Sequence, residues 1–255
     1  MKFSANLGFL WADLPLCDAI HAAHSAGFDA VELHWPYDTP AADVLAALRD
    51  TGLPCLGLNT RKGDVTAGEN GLSALPGRGA EARAAIEEAL AYAQAINAKA
   101  VHVMAGFAQG AEAHATFVAN LHYASERAAK TGATILIEPL NRHDAPGYFL
   151  TTTDQAREII AEVAAPNLRL MFDCYHVGRT EGDVTTRLAD LQPMIGHIQI
   201  ASVPDRGAPD HGELHYPSVF NAISALGWDV PLGAEYKPDG DTSMTFNWLA
   251  AAQKQ

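Results

Sequence analysis

Four apolar segments in the second half of the chain each end in a side chain that offers an oxygen ligand. They are Ile135-Leu136-Ile137-Glu138, Leu170-Met171-Phe172-Asp173, His197-Ile198-Gln199 and Leu232-Gly233-Ala234-Glu235. One such residue alone would be an ordinary strand-end or helix-capping group. Four in succession form a pattern: if the segments are neighbouring strands, three carboxylates and an amide meet in one mouth. Carboxylates a few ångströms apart repel one another and force protonation unless a cation lies among them. The donors are all oxygen, so the ion expected is Mg²⁺ or Mn²⁺, ligated by Glu138, Asp173, Gln199 and Glu235.

Around these ligands stand residues fit for substrate contact. His176, three residues past Asp173, is placed to donate a hydrogen bond to a substrate hydroxyl. His197 shares strand parity with Gln199 and belongs one layer below the ion; His102, in Val101-His102-Val103-Met104, is similar. By the same alternation Cys174 points away from Asp173 and is inert. Three carboxylates and a divalent ion leave the site about one unit negative, so an anionic substrate needs basic partners. Arg206, Lys237 and the pair Arg61 and Lys62 are the available cations. Earlier strand ends add Asn6, Glu32 or His34, and Asn59.

The elements that must position these residues follow from periodicity. Apolar, β-branched runs predict strands at Lys2–Leu7, Ala30–His34, Cys55–Asn59, Ala100–Met104, Ala133–Glu138, Leu168–Asp173, Ile195–Ala201 and Pro231–Tyr236. Ala-rich stretches of helical period lie near 15–26, 41–51, 78–96, 112–131, 153–164, 182–193, 217–226 and 243–252. Gly27, Gly52, Gly132 and Gly227 fall where left-handed helix ends are needed. Eight strand–helix units in strict alternation predict an α/β protein, a parallel sheet closed as one (β/α)8 TIM barrel over residues 1–255. No glycine-rich phosphate loop follows the first strand, against an open dinucleotide-binding sheet. The polar segment Thr60–Arg78 is the longest βα excursion and is expected over the catalytic face.

The bulk numbers exclude more than they assign. A chain of 255 residues, 48% hydrophobic and 18% charged, can bury a large core. Its 30 acidic against 17 basic residues give a net charge of −13, which repels nucleic acid and anionic membranes. Three cysteines without Cys-x-x-Cys spacing argue against a disulfide framework or a thiolate zinc site. Met1–Asn6 lacks the apolar segment of a signal peptide, and no apolar run reaches the ~18 residues that span a bilayer, so the expectation is a cytoplasmic protein. Its Ala-rich outer helices suit a homo-oligomer and a monomer equally.

At these residues the chain resembles the hydroxypyruvate isomerase family, within the xylose-isomerase-like barrels, over essentially its full length. The likeness is carried by Phe3-Ser4-Ala5-Asn6-Leu7, Ala67-Gly68-Glu69, Leu75-Pro76-Gly77-Arg78, Ile137-Glu138-Pro139-Leu140-Asn141, Gly196–Ala201 and Gly233–Pro238. The resemblance implies the same four metal ligands, with Glu138 and Glu235 doubling as the proton-transfer pair. It also implies that His176 and Arg206 contact substrate oxygens, by analogy with the related ketose epimerases. Two subgroups compete, hydroxypyruvate isomerase proper and 2-oxo-tetronate isomerase: Gly71–Arg78 and Val101–Gly106 look like the latter, Ile137–Asn141 and Pro146-Gly147 like the former. The chain departs from both at Asn59-Thr60-Arg61-Lys62-Gly63-Asp64, where relatives usually carry an Ala-Pro-like pair.

The expected activity is isomerisation of a small-molecule oxo acid, hydroxypyruvate to tartronate semialdehyde, with 2-oxo-tetronate the alternative. A ketose 3-epimerase or inosose dehydratase would use the same ion and glutamates on an uncharged polyol. A phosphodiesterase of the endonuclease IV type needs several histidine ligands, whereas these strand ends are carboxylate-rich. A barrel that only binds a sugar acid would have no use for both glutamates.

Overall fold

A computed structural model of the chain describes residues 1–254. Eight parallel strands close into a barrel in sequence order: β1 Phe3–Asn6, β2 Ala30–Glu32, β3 Cys55–Asn59, β4 Ala100–His102, β5 Thr134–Ile137, β6 Leu168–Asp173, β7 Ile195–Ile200 and β8 Leu232–Ala234. Each predicted strand is present. Several stop one or two residues short of the predicted end, so that Glu138 and Glu235 stand just past the last residue of β5 and β8. Side chains at that point leave the ladder and turn into the mouth, where such barrels carry their chemistry.

Helices α1 Leu16–Ser25, α2 Ala41–Thr51, α3 Gly79–Ile96, α4 Gly110–Ala129 and α5 Thr153–Val163 match their predicted stretches closely. The sixth unit differs. A short helix, α6 Cys174–Thr180, begins directly where β6 ends, ahead of α7 Val184–Leu191. The cause is Asp173, whose Oδ1 accepts from the backbone N–H of Tyr175 at 2.6 Å and of His176 at 3.4 Å, capping two free donors of the new helix. His176 therefore lies in a helical first turn, not in a loop. Helix α8 Tyr216–Ala225 opens on Pro217 as expected, and α9 Asn247–Ala252 is shorter than predicted. Gly52 shows why a glycine ends α2: its φ is 72°, a left-handed backbone that L side chains resist.

Closure brings β1 against β8, with Phe3 opposite Leu232 and Ser4 opposite Gly233. Outside this seam Phe3 packs edge-on against Phe220 and Trp248, at 5.6 and 5.0 Å between ring centroids. Full burial of such a side chain contributes about 1.5–3 kcal/mol. The main core lies between barrel and helices. Inside the barrel the apolar filling is small, Ala100, Leu136 and Met171. Above it the inward side chains turn polar.

Candidate active site

Strand register assembles the mouth. Asp173 on β6 pairs with Gln199 on β7, and Gln199 with Gly233 on β8, two residues below Glu235. Glu138, Asp173, Gln199 and Glu235 are each at most 5% exposed. Ligand atoms of Glu138, Asp173, His176 and Glu235 all lie within 4.8 Å of one another, a buried group able to hold a metal ion. Among the described residues Glu138 Oε1, Asp173 Oδ2, Gln199 Oε1 and His176 Nε2 are buried without a hydrogen-bond partner. Buried polar atoms normally have partners. The orphaned oxygens of Glu138 and Asp173, clustered with Glu235, fit a hard divalent cation, and Gln199, paired with Asp173 by strand register, offers a further unpartnered oxygen.

His176 fits a different role. Its Nδ1 accepts the backbone N–H of Asn141 at 3.0 Å. Burial, with Arg206 nearby, pushes its pKa down to about 3. The ring is therefore neutral, and this hydrogen bond puts its one proton on Nε2. That N–H lies 3.8 Å from both Glu138 Oε1 and Asp173 Oδ2. A protonated nitrogen has no lone pair for a metal; it presents a free donor into the mouth.

The carboxylates are electrostatically unequal. Burial and the charges of Glu235 and Asp173 push Glu138 well above the usual carboxylate range. Burial and Glu235 raise Asp173 to about 7. Burial would raise Glu235 too, but Arg206 and His34 outweigh it and hold this carboxyl well below the usual range. Glu235 Oε1 accepts from Asn6 Nδ2 at 3.1 Å and faces His34 Nε2 at 2.9 Å, while Oε2 accepts from Arg206.

These contacts bear on three of the expected substrate residues. Asn6 is held at both ends, its Oδ1 accepting from Gly8 N–H at 3.0 Å and one Nδ2–H donating to Glu235, so its first role is to fix that carboxylate. Arg206 is clamped between the rings of Phe9 and Tyr175 and bonded to Glu235, with Asp144 and Asp173 within 3.9 Å. It offsets part of the negative charge of the site, and its Nε is buried without a hydrogen-bond partner among the described residues. Lys237 is exposed and lines no part of the cavity; only its backbone N–H reaches in, donating to Arg206 O at 2.7 Å.

Other expected residues are in place. His102 lines the cavity, 3.7 Å from Glu138, and burial drives its pKa down to about 4, so it is neutral. Lys62 also lines it, as the long-loop reading required, whereas Arg61 turns outward to Glu88 at 2.7 Å. Cys174 is buried, and its thiol pKa is pushed far up by burial.

Below the mouth lies a network joining three residues the sequence marked separately, Gln199, Glu32 and His197. Gln199 Nε2 donates to Glu32 Oε2 at 2.8 Å, Ser4 Oγ donates to Glu32 Oε1, and the His197 ring stands 3.0 Å from Glu32 Oε1. The His197 contact is ionic, because it is poorly aligned for a hydrogen bond. Holding the amide nitrogen of Gln199 downward aims its oxygen into the carboxylate cluster. A Cβ at residue 233 would meet Glu32 Oε1 at 2.4 Å and Gln199 Cγ at 2.8 Å, so glycine there is required by this pair.

Sequence reasoning missed Phe9, Trp35, Asn141, Asp144 and Tyr175 as parts of the site. Glu32 and His34 were alternatives for one strand end; both face inward, because residues two apart share a face.

A closed parallel barrel with a buried carboxylate cluster at the C-terminal strand ends defines a class, and sequence comparison agrees with it. The chain belongs to the xylose isomerase-like TIM barrel family, whose model matches residues 20–253. Within that family it is 45% identical over 252 residues to a 2-oxo-tetronate isomerase of Cupriavidus necator, covering 97% of each chain. It is 36% identical to the hydroxypyruvate isomerase of Escherichia coli, covering 98% of each. A crystal structure from Brucella melitensis described as an AP endonuclease, family 2, superposes with a TM-score of 0.95 at 36% identity, over 98% of both chains.

Proposed function

We propose that the chain is a metal-dependent isomerase of a small 2-oxo acid, converting hydroxypyruvate to tartronate semialdehyde. The observation that carries this reading is the buried cluster of Glu138, Asp173 and Glu235 ligand atoms, in which Glu138 Oε1 and Asp173 Oδ2 have no hydrogen-bond partner among the described residues. These four residues would hold Mg²⁺ or Mn²⁺. Bound there, the ion supplies Lewis-acid polarisation of the substrate carbonyl.

The chain's own groups then account for the proton movements. One glutamate of the pair Glu138 and Glu235 removes the proton from C3 of hydroxypyruvate, giving an enediolate across C2 and C3. The other delivers a proton to C2 while the O3 proton passes to O2, leaving an aldehyde at C3 and a hydroxyl at C2, with no net redox change. Arg206 and His34 keep Glu235 ionised, the state in which it can accept a proton. His176 Nε2–H donates to a substrate oxygen. His102 and Met104 form part of the cavity wall that limits water at the reacting carbons.

The 45% identity to a 2-oxo-tetronate isomerase supports a second reading, in which the same chemistry runs on a four-carbon acid. A phosphodiesterase reading is disfavoured by the single ligand cluster among the described residues, whose one histidine presents a proton. Three free thiols suit a reducing cytoplasm; no helix among the described residues is long and apolar enough to cross a membrane.

The test is proton NMR of metal-loaded protein in D2O with hydroxypyruvate and, separately, 2-oxo-tetronate. Deuterium appearing at C2 of tartronate semialdehyde supports the first reading, and turnover of the four-carbon acid alone the second. Activity on uncharged ketoses with neither acid converted overturns the oxo-acid assignment.

A further inference from the structure

The cavity at the barrel mouth, about 180 Å³, has two cationic side chains in its wall, Arg206 and Lys62. They are not equivalent. The guanidinium of Arg206 is already ion-paired with Glu235, with Asp144 and Asp173 within 3.9 Å. Lys62 has no ion pair and no side-chain hydrogen bond among the described residues. Its Nζ rests 3.8 Å from the centroid of the Trp35 ring, which also lines the cavity. The side chain is close to half-buried, and loss of water alone pushes its pKa down. An ammonium partly stripped of water without a counter-ion is costly, and the missing partner is an anion.

The ammonium is also held in place. Lys62 O accepts the N–H of Gly71 at 2.7 Å, tying the start of the long loop to its far side. Gly63 follows at φ +93°, with Glu69 and Leu72 filling the space a Cβ would need. Glu69 Oε2 accepts from Asp64 N–H at 2.6 Å and its other oxygen from Arg78. Trp35 is fixed by its own Nε1–H, which donates to Thr60 O at 3.1 Å. A cation prepared in this way loses little freedom when a ligand arrives.

We infer that Lys62 is the carboxylate-binding residue of the substrate site, and that it selects an oxo acid over an uncharged ketose of the same length. The inference rests on the oxo-acid reading of the site and names the residue that enforces it. The other charged groups of the cavity wall are the carboxyls of Glu138, Asp144 and Glu235 and the paired Arg206, so Lys62 is the cation there without a carboxylate partner among the described residues. Lysine offers a point charge and not a planar fork, so the carboxylate is held at one end while its reacting carbons lie toward the glutamate pair.

The experiment compares wild type with Lys62→Met and Lys62→Arg, with Lys62→Gln repeating the comparison should the methionine disturb the loop. Steady-state kinetics are measured with hydroxypyruvate and with dihydroxyacetone, which replaces the carboxylate by a hydroxymethyl group. Binding of D-glycerate and of glycerol to metal-loaded protein is measured by calorimetry. Lys62→Met is expected to raise KM for hydroxypyruvate and Kd for glycerate by roughly 10- to 100-fold, with kcat changed far less. Lys62→Arg should recover most of the loss, and dihydroxyacetone and glycerol should be indifferent. KM and glycerate Kd within about twofold of wild type in a folded Lys62→Met protein would overturn the inference. A wild type that converts neither oxo acid would sink the isomerase reading, while the glycerate comparison still decides whether Lys62 binds a carboxylate.

Discussion

Replacing Glu32 with glutamine leaves shape almost unchanged and removes one buried negative charge. In the native protein that carboxylate, 5% exposed, serves three partners: the Gln199 amide at 2.8 Å, the His197 ring at 3.0 Å and Ser4 Oγ. Breaking a buried ion pair by neutralising one member costs about 3–5 kcal/mol. For a domain of this size 3 kcal/mol corresponds to a melting temperature lower by about 6–12 °C. The pH dependence has a definite sign. Burial opposes both charges, yet His197, Ser4 and Gln199 hold Glu32 below its usual pKa of 4.5, while Glu32 lifts His197 above 6.5. The histidine's contribution is complete below pH 6.5 and is lost as pH rises through its folded pKa; the glutamate's is complete above pH 4.5 and is lost as pH falls through its own. The stability gap between wild type and Glu32→Gln is therefore widest between those two values and narrows in alkali. Glu32→Gln also frees the Gln199 amide to turn its nitrogen toward the carboxylates. Loss of such orienting partners lowers metal affinity by about 10–100-fold. Scanning calorimetry across pH and Mn²⁺ titration by electron paramagnetic resonance measure both effects. An unchanged Mn²⁺ Kd and a melting temperature within about 2 °C at pH 5.5 would refute the argument that Glu32 orients this ligand.

Glu138→Gln and Glu235→Gln should each lower kcat by about 10²–10⁴-fold with the far-ultraviolet circular dichroism unchanged; either variant keeping more than about a tenth of the wild-type rate is not part of the proton-transfer pair. The metal-free protein should lose stability as pH rises from 3.8 through about 7, because Asp173 holds a proton in the folded state that the unfolded chain releases. Saturating Mg²⁺ or Mn²⁺ should remove that slope, and identical melting profiles with and without the ion would exclude a cation from the cluster.

The alternation of β-branched runs with Ala-rich helices determined the barrel, and four polar residues closing apolar strands determined where its chemistry lies. Both are properties of local pattern: a buried strand must be apolar, so a carboxylate at its end is conspicuous in one dimension. What each cation does was not legible there. Arg206, Lys237, Arg61 and Lys62 look alike in a sequence, but packing buries Arg206 against Glu235, turns Arg61 to Glu88, leaves Lys237 outside and presents Lys62 to the cavity without a counter-ion. The proton on His176 Nε2 depends on an Asn141 N–H 35 residues away, and the aim of Gln199 on Glu32, 167 residues away. Strand periodicity fixes which face a side chain takes. Only closure of the barrel fixes its neighbours, and in a site emptied of water the neighbours set charge, tautomer and orientation.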